Sequence, residues 1–208
     1  MVEGVAEGVK AVATLSPMRP NLPRRPHVLG IDDGPFEKHG GARMTPVVGV
    51  MMEGADLVEA VAVTHFGVDG DDVTDFLADW IGSLRFRPAL QGVLFGGITM
   101  AGLAVIDQGA LAERLGLPVV VVNRREPQNE RLRGALRSAG LEDRIEVLER
   151  APTAFAVSGV FAAAAGAEPD LASRLVCATL GKADLPEPIR VAHLIARAMV
   201  AGESRGRV

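Results

Sequence analysis

The stretch HVLGIDDGPF, His27 to Phe36, decides how the rest of the chain is read. Val28 to Ile31 suit a buried strand, yet they run directly into two adjacent carboxylates, Asp32 and Asp33, and then into a Gly-Pro break. Two negative charges at the end of a core strand have two readings. Adjacent aspartates before Gly-Pro are good turn formers. Carboxylates delivered by a strand end are also what a divalent-metal site needs, because the ion clamps the oxygens of a phosphodiester.

Outward from this point the pattern is strand, strand, strand, then alternation with helices. HVLGI (27–31) is followed by strands PVVGVMME (46–53) and DLVEAVAVTHF (56–66), whose short GA link reads as a hairpin. GDDVTDFLADWIGSL carries apolar residues at helical spacing, with Asp71 or Asp72 as its cap. QGVLFGG (91–97) reads as a buried strand, LAVIDQGALAERLG as a helix stopped by Gly116, and LPVVVVN (117–123) as a central parallel strand. EPQNERLRGALRSAG is an amphipathic, arginine-rich helix. RIEVLER reads as a strand, and TAFAVSGVFAAAAG as strand or helix. Two helices close the chain, PDLASRLVCATL and PEPIRVAHLIARAMVAG, the second with proline at its start and glycine at its end. Three sequential strands followed by αβαβα is the plan of a ribonuclease H-like α/β domain. It has a mixed central sheet flanked by helices, its first strand central, and here a C-terminal α/β extension.

The chain's 208 residues fit one domain of ordinary size, taken as 27–208 behind a proline-rich lead-in over 1–26. Hydrophobic residues make up 48%, ample for a core, but no run approaches the ~18 apolar residues of a membrane span. The first residues lack the basic start and apolar centre of a secretory signal, so a cytoplasmic location is expected. The single cysteine, Cys177, excludes an internal disulfide and a cysteine-rich zinc site, and its apolar helical setting predicts a buried thiol. A net charge of −4 excludes a surface basic all over, but not a local basic patch.

Such a patch is at hand. Arg124 and Arg125 follow a strand end, the edge where ligands gather in open α/β sheets, and are the candidates for contacting phosphate. Arg131, Arg133 and Arg137 read as a solvated helix face. His193 lies in an apolar helix and is expected in the core. His65 is either a ligand near the carboxylates or a hydrogen-bonded surface residue, and His39 sits in a glycine-rich loop that covers the site or is mobile. A haloacid dehalogenase-type phosphatase is excluded because Ile31 stands where its nucleophilic aspartate belongs, and an actin-like phosphate loop because Pro35 replaces its hydroxyl. GVDGDDVTD lacks the ligand spacing of a calcium loop.

VLGIDDGPF, VTHFGVDGDDVTD, GGITMAGLAVID, LPVVVVNRREP and PEPIRVAHLIARAMVAGESRGRV occur in this order over His27 to Val208. Together they resemble the endonuclease V-like proteins of the family called domain of unknown function 99. The resemblance implies a ribonuclease H-like fold and kinship with endonuclease V, a Mg²⁺-dependent enzyme cutting near deaminated purines. It makes Asp32 the first-strand metal ligand and Asp69 the substitute for a third-strand glutamate, and Asp33, beside Asp32, is the second catalytic candidate with it. It also implies an aspartate where this chain has Gly96, in FGGIT. Asp107, eleven residues further on, is the remaining metal candidate, or else a helix-start residue.

The expected function is therefore that of an endonuclease V-like, Mg- or Mn-dependent nucleic-acid phosphodiesterase whose metal site is degraded at Gly96. The alternatives are a non-catalytic nucleic-acid or protein-binding module on the same fold, and a metal-dependent enzyme acting on a small phosphorylated molecule. No membrane partner is expected.

Overall fold

The computed structural model describes residues 22–36 and 44–204. The lead-in up to residue 21 and the loop holding His39 lie outside them. The end of the lead-in is placed: Leu22 packs against a core cluster, and the Gly54 N–H donates to the Pro26 carbonyl over 2.9 Å.

Three long strands come first, β1 (His27–Asp33), β2 (Met44–Glu53) and β3 (Leu57–Gly67), and then helix α1 (Val73–Ser83). Next come β4 (Gly92–Phe95), the two-residue strands β5 (Thr99–Met100) and β6 (Ala104–Val105), α2 (Gln108–Leu115) and β7 (Val119–Asn123). Helices α3 (Asn129–Ser138) and α4 (Asp143–Glu149) precede a hairpin of β8 (Phe155–Val157) and β9 (Val160–Ala165). Helices α5 (Pro169–Thr179) and α6 (Glu187–Ala201) close the chain. The main sheet has seven strands in the order β3-β2-β1-β4-β7-β9-β8. β1, β4 and β7 run parallel, while β2, β3, β9 and β8 add antiparallel edges.

Strict alternation along the central strands builds a core on each face. Leu29, Ile31, Val93, Phe95, Val119 and Val121 pack beneath α1 and α2, whereas Val28, Leu94, Val120 and Val122 pack beneath α5 and the start of α6. Strands covered on both faces need apolar side chains at every position, which is why these stretches show no polar alternation. The expected mixed sheet, its central first strand and the C-terminal α/β extension are all present. No described helix is long and apolar enough to cross a membrane.

The structure corrects several local expectations. RIEVLER is helix α4, not a strand, because Leu148 and Arg144 both face inward at helical spacing. Leu148 joins a satellite cluster with Val105 and Leu136, and Arg144 is buried against carbonyls of Leu103 and Asp69. Helix α2 begins at Gln108 rather than Leu103, since Ala101 and Gly102 at positive φ turn β5 back onto β6. TAFAVSGVFAAAAG resolves to the β8–β9 hairpin. Asp72 occupies the cap position of α1 without a side-chain capping bond, and Asp71 pairs with Arg144. Cys177 is exposed, with its Sγ 3.1 Å from the Ser158 hydroxyl, because it lies on the outer face of α5 opposite buried Leu175 and Val176.

Candidate active site

The parallel strands β1, β4 and β7 end at one edge of the sheet. In the β1–β4 register Ile31 is opposite Phe95, so Asp32, still paired with Val48 of β2, stands beside Gly96 just past the end of β4. β7 contributes Asn123 and then Arg124 to the same edge.

Helix α6 roofs this edge, and Gly30 is the reason it can. A Cβ at position 30 would lie 2.2 Å from the Pro188 carbonyl carbon and 2.4 Å from the Ile189 nitrogen, so only glycine lets the helix backbone rest on β1. From that contact the two elements run in step. Two residues of strand advance about 6.6 Å and four of helix about 6 Å, which carries Ile189 over Gly30 to His193 over Asp32. The His193 Nδ1 lies 2.7 Å from the Asp32 Oδ2. Further along, a Cβ on Gly34 would meet the Ala196 carbonyl at 3.1 Å. His193 is thus not the core residue its apolar helix predicts. It is half-buried, paired with Asp32, and lines a cleft of about 340 Å³ with Gly96, Asn123, Arg124 and Ile189. The sequence signal for it is faint: one polar position on the stripe that otherwise buries Ile189, Ala192 and Ala196.

Adjacent residues of a strand point to opposite faces, so Asp32 and Asp33 do not share one site. Asp32 turns to α6, and its Oδ1 accepts the Asp33 backbone N–H over 3.0 Å. Asp33 turns toward the β5–β6 turn. Burial, together with the nearby Asp32 charge, pushes its carboxyl up to about 6, against a hydrogen bond from the Ala101 backbone and attraction from His193. The folded state therefore holds a proton that the unfolded chain releases near 3.8, so this group's contribution to stability falls as pH rises from there to about 6. In metal-free buffer, Asp33→Asn should gain about 3 kcal/mol over the parent at pH 8, and only about 0.5 kcal/mol near pH 4. Urea denaturation at the two pH values measures this.

The other candidate carboxylates are engaged elsewhere. Asp69, at φ 53°, receives the Leu103 N–H on Oδ1 over 2.7 Å and fastens the β5–β6 turn to the end of β3. Asp107 caps α2 through Ala110 N–H over 3.0 Å and pairs with Arg150 over 3.1 Å. Neither lines the cleft with Asp32, and His65 is exposed on β3. Among the described residues beyond its chain neighbours, a Cβ added to Gly96 would meet within 4 Å only Ile189, whose Cγ2 would be 3.2 Å away.

Arg124 links the cleft to a groove of about 630 Å³ that also holds Arg125 and Arg131. Asn123 borders both, and a further pocket of about 290 Å³ that reaches Gln108, Val121 and Ala163. Gln108 is 2% exposed. Its Nε2 donates to the Ala163 carbonyl over 2.9 Å, and its Oε1 has no partner among the described residues. Since a carbonyl only accepts, that bond fixes the amide orientation, leaving the acceptor end unsatisfied.

Comparisons with known proteins agree with this architecture. A UPF0215 protein of Methanothermobacter thermautotrophicus is 36% identical over 184 residues, covering 86% of this chain and 90% of that protein. The crystal structure of an Archaeoglobus fulgidus protein of unknown function superposes with a TM-score of 0.78 at 34% identity, covering 86% of this chain and all of the other. The catalytic domain of human endonuclease V superposes at 0.55 with 17% identity, covering 86% and 83%, which shows a shared ribonuclease H-like fold. Ciona intestinalis endonuclease V, solved with a DNA containing inosine, superposes at 0.51 with 14% identity, covering 81% and 83%. The family model described as endonuclease dU matches residues 24–200, and the chain belongs to that endonuclease V-like family.

Proposed function

We propose that this protein is a metal-dependent nucleic-acid phosphodiesterase whose chemistry centres on Asp32 and His193. The carrying observation is their 2.7 Å contact in a cleft that Arg124 joins to an arginine-lined groove. One carboxylate and one imidazole suit a single Mn²⁺ or Mg²⁺ ion completed by water and substrate phosphate. Gly96 offers no side-chain donor, so the donors at the cleft do not fit a two-metal clamp. When bound, the ion would supply Lewis-acid polarisation of the phosphate. Asp32 and His193 would hold it, Arg124 and Arg125 would fix the phosphate backbone, and Asp69 and Asp107 would hold the framework around the cleft.

The Gln108 pocket supports a reading of the base. Deamination places a proton on a ring nitrogen, N1 of hypoxanthine or N3 of uracil, where adenine and cytosine carry a lone pair. The unpartnered Oε1 of Gln108, closed to solvent in the free protein, would accept that N–H and repel the lone pair once an entering base opens the pocket down to it. A site built to pair one hydrogen-bonding group discriminates strongly against the analogue lacking it. Gln108→Leu is expected to cut the preference for inosine- or uracil-containing strands over their undamaged counterparts by about tenfold. Competition binding measures this.

Gly96 favours a second reading, a nucleic-acid-binding module that no longer cuts. Incubation of damaged strands with Mn²⁺ or Mg²⁺ separates the two. Metal-dependent cleavage supports the enzyme. Salt-sensitive binding without cleavage at high protein concentration supports the module. Absence of both sinks both readings.

A further inference from the structure

We infer that His27, Glu53 and Glu59 form a separate divalent-cation site, with zinc the best match, at the far end of β1 from Asp32. Five residues of strand, roughly 17 Å, separate His27 from Asp32. The inference does not depend on the proposed activity.

Three strands each supply one ligand atom, and all three atoms lie within 4.8 Å of one another. His27 and Glu53 are direct cross-strand partners on β1 and β2 and so share a face. Glu59 reaches that face through a register shift. Ala60 pairs with Met51 and Val58 with Met52, leaving Glu59 as the extra residue of a bulge. Uninterrupted pairing would set Glu59 opposite Met52, whose side chain packs beneath α6 on the other face. The bulge instead brings its Oε2 to 2.8 Å from the His27 Nε2. Bulges commonly re-aim a side chain in this way.

The local charge calls for a cation. Arg25 is shared between Glu53 and Asp56, 3.5 Å from each, while among the described residues Glu59 pairs with His27 alone. Three carboxylates thus meet one permanent positive charge in these ion pairs. One imidazole and two carboxylates form a borderline donor set suited to zinc, with a water in the fourth position. Tetrahedral ligand atoms at zinc bond lengths lie about 3.4 Å apart, somewhat closer than the 4.8 Å within which these three atoms already lie. The ion would tie β1, β2 and β3 together at the end of the sheet remote from the cleft.

Cobalt(II), which reports tetrahedral coordination by its visible absorption, tests the site on the full chain. One equivalent should bind with tetrahedral bands in the parent protein and equally in Asp32→Asn. Glu59→Gln, isosteric and with its fold to be checked by circular dichroism, should lose the bands and bind at least tenfold more weakly. Zinc should raise the melting temperature of Asp32→Asn, whose cleft has lost its carboxylate, and adding Glu59→Gln to that variant should abolish the rise. Bands that persist in Glu59→Gln, or that vanish in Asp32→Asn, would overturn the assignment. So would a parent protein that shows neither bands nor a zinc-dependent rise in melting temperature, which would leave an ion-pair cluster only.

Discussion

Asp32→Asn is expected to lower metal-dependent strand cleavage by about 10³-fold or more, the scale on which a group acting on the reacting phosphate contributes. Asparagine keeps the shape of the side chain but removes the charge that would hold a cation. Folding should be little affected, because the Asp32 side chain retains 23% exposure and its hydrogen bond from the Asp33 N–H can be kept. Binding to nucleic acid should move the opposite way from cleavage. A negative charge facing phosphate repels it, so in metal-free buffer Asp32→Asn should bind a strand at least as tightly as the parent. Single-turnover cleavage and filter binding on the same preparation measure both effects. Cleavage unchanged from the parent would place the chemistry somewhere other than the Asp32–His193 cleft.

The second large effect is on stability, at a residue with no functional group. Gly30→Ala places a methyl 2.2 Å from the Pro188 carbonyl carbon and 2.5 Å from its oxygen. These are backbone atoms, so no side-chain rotation relieves the clash and α6 must lift from β1. Overpacking of this kind costs typically 1–3 kcal/mol, and an obstacle made of helix backbone puts Gly30→Ala at about 3 kcal/mol or beyond. Chemical denaturation measures it, with Gly82→Ala as the control. Gly82 is a helical glycine with nothing within 4 Å of an added Cβ, so its replacement should be neutral or stabilise by up to about 1 kcal/mol. Because α6 carries His193, Gly30→Ala should also weaken cleavage without touching either cleft residue. A variant as stable as the parent would show that α6 does not depend on this close approach.

Both predictions turn on how α6 sits over β1, and that relation separates what was legible in the amino-acid pattern from what was not. The apolar runs 28–31, 92–95 and 119–122 show two-sided burial directly, because parallel strands between helix layers need apolar residues everywhere. The β2–β3 hairpin, the stop of α2 at Gly116 and the ends of α6 follow from local turn and cap chemistry. These are short-range causes, and the residues that produce them stand next to one another. Asp32 and Arg124 were legible for a similar reason, as polar residues directly after buried strands. RIEVLER misled because Ile145 and Val147 alternate like a strand, while the contacts that decide it come from Leu136 and Val105.

The amino-acid sequence by itself determined the ribonuclease H-like plan, the central first strand and the edge where Asp32 emerges. Only the tertiary structure decided which partners meet there. Asp33 was separated from Asp32 by the two-residue pleat, and Asp69 and Asp107 were taken up by the β5–β6 turn and the cap of α2. His193, 161 residues away along the chain, became the neighbour of Asp32 through the close approach at Gly30. Local patterns record a strand's burial but not the helix that lands on it. That landing depends on a missing side chain on one element and the register of another.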